Sequence, residues 1–197
     1  MSETYTVQDC FRYDTASSDK TANYASPIVY RGSGSGAWNY NSTNGYYGTI
    51  SGSNEVMIPL SEITGKDDFT IEFDALFNVN SGGFYGITGI CAYEDNNNYS
   101  RLSCHNLKIA QRVSVNGSAT ESESNVSNSV SRGDLLHFKF TISNNQIVEE
   151  VTRDTTSIGT RTISYTPTSS TKFGLALIWS NGWTQNTYMK NIKVKAL

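Results

Sequence analysis

The segment "FTIEFDALF", Phe69 to Phe77, constrains the fold more than any other stretch of the chain. Phe69, Ile71, Phe73, Ala75 and Phe77 alternate with Thr70, Glu72 and Asp74. A period of two puts the apolar set on one side of an extended chain and the polar set on the other, so the segment reads as a half-buried strand. "LLHFKFTI" repeats the pattern, with Leu136, Phe138, Phe140 and Ile142 inward and His137, Lys139 and Thr141 outward. The turn "SNNQ" and the run "IVEEV" that follows make this a hairpin. In "KFGLALIWS", Phe173, Leu175, Leu177 and Trp179 share one side, while Gly174, Ala176 and Ile178 make the other side apolar or small. That strand is expected to be central. The chain closes on "MKNIKVKAL", where Ile192 and Val194 alternate with Lys193 and Lys195, and Lys190 falls out of phase.

A second hairpin is predicted around "EDNNNY", because Asn and Asp tolerate left-handed backbone conformations. With Asn97 and Asn98 as the turn residues, Glu94 faces Arg101 and Cys91 faces Cys104. A turn one residue earlier makes those pairs diagonal. Gly32 to Asn54 is rich in Gly, Ser and Asn, yet carries Trp38, Tyr40, Tyr46 and Tyr47, which points to short strands and tight turns rather than a linker. Asn116 to Asp134 is the most loop-like segment. With 12 Tyr, 16 Gly and only 3 Pro, and with β-branched and aromatic residues throughout, the composition is that of an all-β protein. No linker and no repeat divides the chain. The expectation is a single domain, residues 1–197, built as an antiparallel β-sandwich or jelly roll.

Net charge narrows the partners. Fifteen basic and eighteen acidic residues leave −3, and no Lys/Arg stripe offers a footprint for nucleic acid. No apolar run approaches the roughly 18 residues that a membrane helix needs. The start, "MSETYTVQDC", has neither the basic nor the apolar part of a secretory signal. There are three cysteines, Cys10, Cys91 and Cys104, an odd count that argues against a disulfide scaffold; Cys91 and Cys104 are expected as buried thiols. His105 and His137 are not at metal-ligand spacing.

The order of pieces, from "VQDCFRYDTASSDKTANY" through "WNYNSTNGYYGTISGSN", "DDFTIEFDALF", "GICAYEDNNNYSRLSC" and "GDLLHFKFTISNNQIVEEV" to "FGLALIWSNGWTQNTYMKNIKVKAL", resembles the concanavalin A-like lectin/glucanase superfamily of laminin-G-like jelly rolls. Within it the likeness is to stand-alone modules of viral tail fibres, head fibres and adhesins. It covers nearly the whole chain and is one of strand order rather than of a single motif. The resemblance implies two curved antiparallel sheets, often with a glycan on the concave face or the rim loops; some members bind calcium and some are enzymes.

Three candidate sites follow. Glycoside hydrolases of that superfamily carry Glu-x-Asp-x-x-Glu or Glu-x-Asp-x-Glu on a strand, since retaining hydrolysis needs two carboxyls about 5–5.5 Å apart. Glu72 and Asp74 match the first two acids, but the third position holds Leu76 or Phe77, so this reads as a strand with a polar face. The loop "EDNNNY", Glu94 to Tyr99, is oxygen-rich enough to consider calcium, against the simpler reading of a turn that satisfies its own backbone. In "LIWSNGWTQNTY", Trp183 beside Asn181 and Gln185 suits a sugar, with the indole stacking and the amides reading hydroxyls. Tyr99, Asn97 and Tyr47 are expected to extend that surface, and Tyr46 and Tyr188 are further aromatics for it. Arg132-Gly133-Asp134 reads as a turn before a strand. The predicted function is a non-enzymatic carbohydrate-binding module for surface attachment, a viral fibre or adhesin component. Weak shallow sites would then act in many copies, by self-association or on other virion proteins. The alternative is a structural virion protein that binds protein rather than glycan.

Overall fold

The computed structural model describes residues 28–32, 36–41, 45–50, 55–64, 68–77, 87–105, 108–126, 130–131, 133–178 and 187–197. Every regular element among them is a strand. One seven-stranded antiparallel sheet runs β1 (Ile28–Arg31), β4 (Glu55–Thr64), β13 (Lys172–Ile178), β6 (Ile87–Asp95), β7 (Asn98–His105), β8 (Lys108–Val115), β9 (Ser118–Asn125). The other, also seven-stranded, runs β12 (Thr156–Ser164), β11 (Gln146–Arg153), β10 (Leu135–Ser143), β5 (Phe69–Phe77), β14 (Thr187–Ala196), β3 (Gly45–Ile50), β2 (Gly36–Asn41). We refer to them as the first and second sheets. Face to face, they make an antiparallel β-sandwich.

The core between the sheets is what the alternation predicts. Phe69, Ile71, Phe73 and Ala75 of β5 and Leu136, Phe138, Phe140 and Ile142 of β10 are all buried. Phe73 stacks on Phe138 and Phe140, with ring centroids 5.0 and 6.0 Å apart. From the first sheet, Ile58, Leu60, Ile90, Leu102, Phe173 and Leu175 meet them. Strand β13 is central, flanked by β4 and β6. Residues 55–60 of β4 are buried without interruption, as are Phe173 to Ala176. These runs lack the two-residue alternation because both their faces are covered.

Two features depart from the expectations. The segment 116–134 is not a loop at its start. Asn116 and Gly117 both have positive φ, 51° and 79°, and form the two-residue turn of a β8–β9 hairpin. Every residue of β9 is exposed, so the strand carries no apolar alternation by which its sequence could reveal it. Cys91 and Cys104 also do not face each other. The β6–β7 turn is Asn96–Asn97, the earlier of the two expected positions, but Glu94 is an extra residue between the Tyr93–Tyr99 and Asp95–Asn98 pairs, so the two cysteines are not diagonal either. This bulge moves Cys91 opposite Arg101 and Cys104 opposite Thr88. The two buried thiols therefore lie on opposite faces of the first sheet, Cys104 in the main core and Cys91 in an outer cluster. The same device explains Lys190. Asn191, at φ 55°, sits in a bulge between the Lys190–Asp74 and Lys193–Glu72 pairs, which restores Ile192 and Val194 to the core.

Candidate functional site

The outer face of the second sheet is a polar surface. Asp74 accepts hydrogen bonds at 2.9 Å from His137 Nδ1 and at 2.6 Å from Asn191 Nδ2. Glu72 lies 3.8 Å from Lys195 Nζ, and Lys139 pairs with Glu150 at 3.3 Å. Leu76 stands in the position a third acid would need. The two carboxylates of β5 thus have basic or amide partners, and the reading of a strand with a polar face stands.

The outer face of the first sheet is different. Along its centre the register brings small residues side by side: Gly89 of β6 lies between Ala176 of β13 and Ser103 of β7, and Ser103 in turn faces Ala110 of β8. Large and charged groups border this shelf. Tyr30, Met57, Cys91, Tyr99 and Ala176 form the outer apolar cluster, with Tyr30 and Tyr99 at a ring separation of 4.8 Å. A chain of charges crosses the strands. Arg31 Nη1 donates to Glu55 Oε1 at 2.6 Å, Arg101 Nη2 to Glu121 at 2.7 Å, and Arg112 Nη1 to Glu121 at 3.1 Å. Arg101 Nη1 lies 2.9 Å from Glu55 Oε2, close enough for an ion pair but out of hydrogen-bond alignment. Arg112 Nε donates to the Tyr99 hydroxyl at 3.0 Å. Burial pushes both the Tyr30 hydroxyl and the Cys91 thiol well above their usual range.

The feature that sets this face apart is its unpaired polar atoms. Tyr30 Oη, Arg101 Nε and Ser103 Oγ are buried without a hydrogen-bond partner. A buried polar group left so costs about 1–3 kcal/mol, and native proteins tolerate few. Where the strip reaches solvent, Glu121 is 41% and Arg112 14% exposed at the side chain.

At one end of the sandwich, beside Tyr99, a cleft of about 270 Å³ is lined by Glu94, Asn98, Ser114, Tyr165 and Thr166 among others. The turn that frames it is internally satisfied. Asp95 Oδ1 accepts from the Asn97 and Asn98 amides at 2.7 and 2.9 Å, and the Asn98 side chain bonds both Asp95 oxygens. These bonds hold the Asp95 carboxyl below its ordinary range. Asn97 supplies its carbonyl to Ser114 Oγ and to the Gly117 amide, tying the two hairpin turns together. The oxygens considered for calcium are thus engaged in the turn, and no group of three His, Cys, Asp or Glu among the described residues is placed to hold a metal.

Of the sequence-predicted site, Tyr99 and Asn97 lie at this junction of cleft and outer face. Tyr47 is on β3, opposite Tyr188 in the register of the second sheet, so its strand belongs to the other layer. Trp183, Asn181 and Gln185 lie outside the described residues. Gly133 and Asp134 form the expected turn, with the Asp134 carboxylate accepting from the Ser131 amide at 2.8 Å and Arg153 at 2.9 Å. The Arg101–Glu55–Glu121–Arg112 chain was missed, because its members sit on four strands far apart in sequence. The one legible signal was a charged residue, Arg101, in the otherwise small and apolar run of β7.

No protein-family model matches the sequence, and no curated protein matches it. Among solved structures, the chain is similar to the carbohydrate-binding module CBM66 from Bacillus subtilis, with TM-score 0.56, 15% identity, and 88% of this chain and 98% of that one covered. It is also similar to a functionally unknown protein from Saccharomyces cerevisiae, with TM-score 0.54, 12% identity, and 90% and 98% covered. A third likeness is to the GH43 BlXynB protein from Bacillus licheniformis, with TM-score 0.52 and 13% identity, where 89% of this chain matches 35% of that one. At these identities the likeness is one of fold.

Proposed function

We propose that the chain is a non-enzymatic carbohydrate-binding module, working as one domain, whose ligand lies on the outer face of the first sheet along β7, β8 and β9. The observation that carries this reading is the border of the charge strip, where Glu121 and Arg112 reach solvent and are held in place by the buried Arg101 and by Tyr99. A saccharide offers hydroxyls that both donate and accept, which suits Glu121 as an acceptor and Arg112 as a donor. The fold shared with CBM66 from Bacillus subtilis, named as a carbohydrate-binding module, supports the same class. Trp183, Asn181 and Gln185, with Asn97 and Tyr99 at the rim, are proposed as additional contacts, and presentation in many copies on a fibre or particle as the means to useful avidity.

The test is a glycan array probed with the folded protein displayed multivalently, with and without a calcium chelator. Specific binding that is lost in Arg112→Ala and Glu121→Gln, but kept in the second-sheet variant Lys139→Ala, is the expected result. Binding that survives both first-sheet variants and is lost in Trp183→Ala moves the site to the 181–185 segment. A blank array with well-folded protein overturns the glycan reading in favour of a structural protein that docks on other proteins.

A further inference from the structure

The side of the sandwich where β12 meets β8 and β9 holds a second polar cluster, between the sheets. Glu149 of β11 and Arg161 of β12 are directly opposite in the register, and Glu149 is fully buried. Cross-strand acid and base at such a position would ordinarily pair. Here they do not. Both carboxyl oxygens of Glu149 are without a hydrogen-bond partner. Arg161 instead reaches across to the first sheet. Its Nε donates to Gln111 Oε1 of β8 at 2.9 Å, and Nη1 to Ser124 Oγ of β9 at 3.0 Å and to the Ile109 carbonyl at 3.5 Å. Nη2 donates to Ser122 Oγ of β9. Strand β9 is exposed along its whole length, so these bonds from Arg161 tie a solvent-bathed edge strand to the opposite sheet.

We propose that Arg161 is a two-position latch: it clamps β9 while Glu149 keeps its proton and turns back onto Glu149 when that proton leaves. The surroundings of Glu149 support both halves. On β10 its neighbour is Phe140, which offers no hydrogen bond. From the first sheet the ionisable groups that act on it are Arg101, on the far face of β7, and Cys104, whose thiol is itself held up by burial and by Glu149. Burial keeps the Glu149 proton in place up to about pH 8, against the pull of Arg161 and Arg101. Once ionised, the carboxylate has one cation available on its own neighbouring strand, and a buried charge without a partner is far more costly than Arg161 exchanging neutral acceptors for a charged one. Turning Arg161 leaves Ser122 and Ser124 without their donor and lets β9 fray from β8. Because Glu121 is on β9 next to Ser122, release would also disturb the proposed glycan strip, a consequence that rests on that reading while the latch itself does not.

The test is amide hydrogen exchange of β9 from about pH 6 to about pH 10, corrected for intrinsic rates, on wild type, Glu149→Gln and Arg161→Gln. Wild type should lose β9 protection as pH rises through about 8, by roughly tenfold for each charge-assisted hydrogen bond given up. Glu149→Gln should hold β9 protected across the range, and Arg161→Gln should leave it unprotected throughout. Should Glu149→Gln fail to fold, carbon-detected titration of the wild-type Glu149 carboxyl decides. The Arg161 Nε resonance must then shift with the same midpoint. A wild-type β9 whose corrected protection is flat with pH, or an Arg161 resonance that ignores the Glu149 titration, overturns the latch. Glycan binding is measured separately, so a blank array does not bear on this outcome.

Discussion

Glu149 lies far from the ordinary state of its residue type. Burial raises its carboxyl from 4.5 to about 8. Between those values the folded protein holds a proton that the unfolded chain has released. The associated stability is therefore complete below about pH 4.5 and lost as pH rises through about 8. Thermal melts of wild type should show Tm falling across this window, and Glu149→Gln should flatten the profile; parallel slopes for the two would assign the pH dependence elsewhere. Glu55 is a buried acid with cationic partners. It is buried between Arg31 and Arg101, and Arg101 is itself almost wholly buried. Glu55→Gln leaves the Arg101 charge with Glu121 as its remaining carboxylate, and a loss of about 3–5 kcal/mol in urea unfolding is expected. A loss well under 1 kcal/mol would mean that solvent reaches Arg101 freely.

Elements in this protein are set by close backbone approach as much as by side chains. Gly89 lies where β6 meets β7, and a Cβ there would fall 1.9 Å from the Leu102 carbonyl oxygen and 2.6 Å from Ser103 Cα. Backbone cannot yield as a side-chain end can. Gly89→Ala should therefore destabilise by about 1–3 kcal/mol or more, seen as a drop in the denaturation midpoint. Gly159→Ala is the control, because its Cβ would meet the Ile109 Cδ1 methyl at 2.4 Å, a side-chain end that can rotate. Equal costs for the two would refute the argument. Turns are legible at the same scale. Asn144 and Asn145, both at positive φ, close the β10–β11 hairpin that "SNNQ" announces, while the Asn116–Gly117 turn carries the same chemistry but is not legible as a hairpin, because β9 after it has no apolar face.

The molecule has one core that needs both sheets. Phe138 stacks on Phe73 at 5.0 Å and belongs to a cluster that also contains Ile58, Leu102 and Phe173 from the first sheet. Phe138→Ala should lower stability by about 3–5 kcal/mol within a single cooperative transition followed by both fluorescence and far-ultraviolet dichroism. Two separable transitions would mean that the sheets fold as independent units. At this scale the two outer faces also part company. The second sheet shows solvent a mosaic of paired polar groups such as Asp74–His137 and Lys139–Glu150, whereas the first hides Tyr30, Arg101 and Ser103 with hydrogen bonds unmade.

What the sequence determined by itself was local and periodic. The two-residue alternation in Phe69–Phe77 and Leu135–Ile142 specifies strands and says which side chains enter the core, because successive side chains of an extended chain must point opposite ways. That phase even places Glu149 inside, in step with Ile147 and Val151. Register is not local. The bulges at Glu94 and Asn191 shift partner positions without altering composition, so the separation of Cys91 from Cys104 could be seen only in the folded sheet. The candidate site is nonlocal for the same reason. Glu55, Arg101, Arg112 and Glu121 come together because β4, β7, β8 and β9 lie in one layer, and Arg161 reaches Ser122 and Ser124 because the two sheets close on each other there. A strand's own residues encode its two faces; which other strand each face meets is decided by packing across the whole chain.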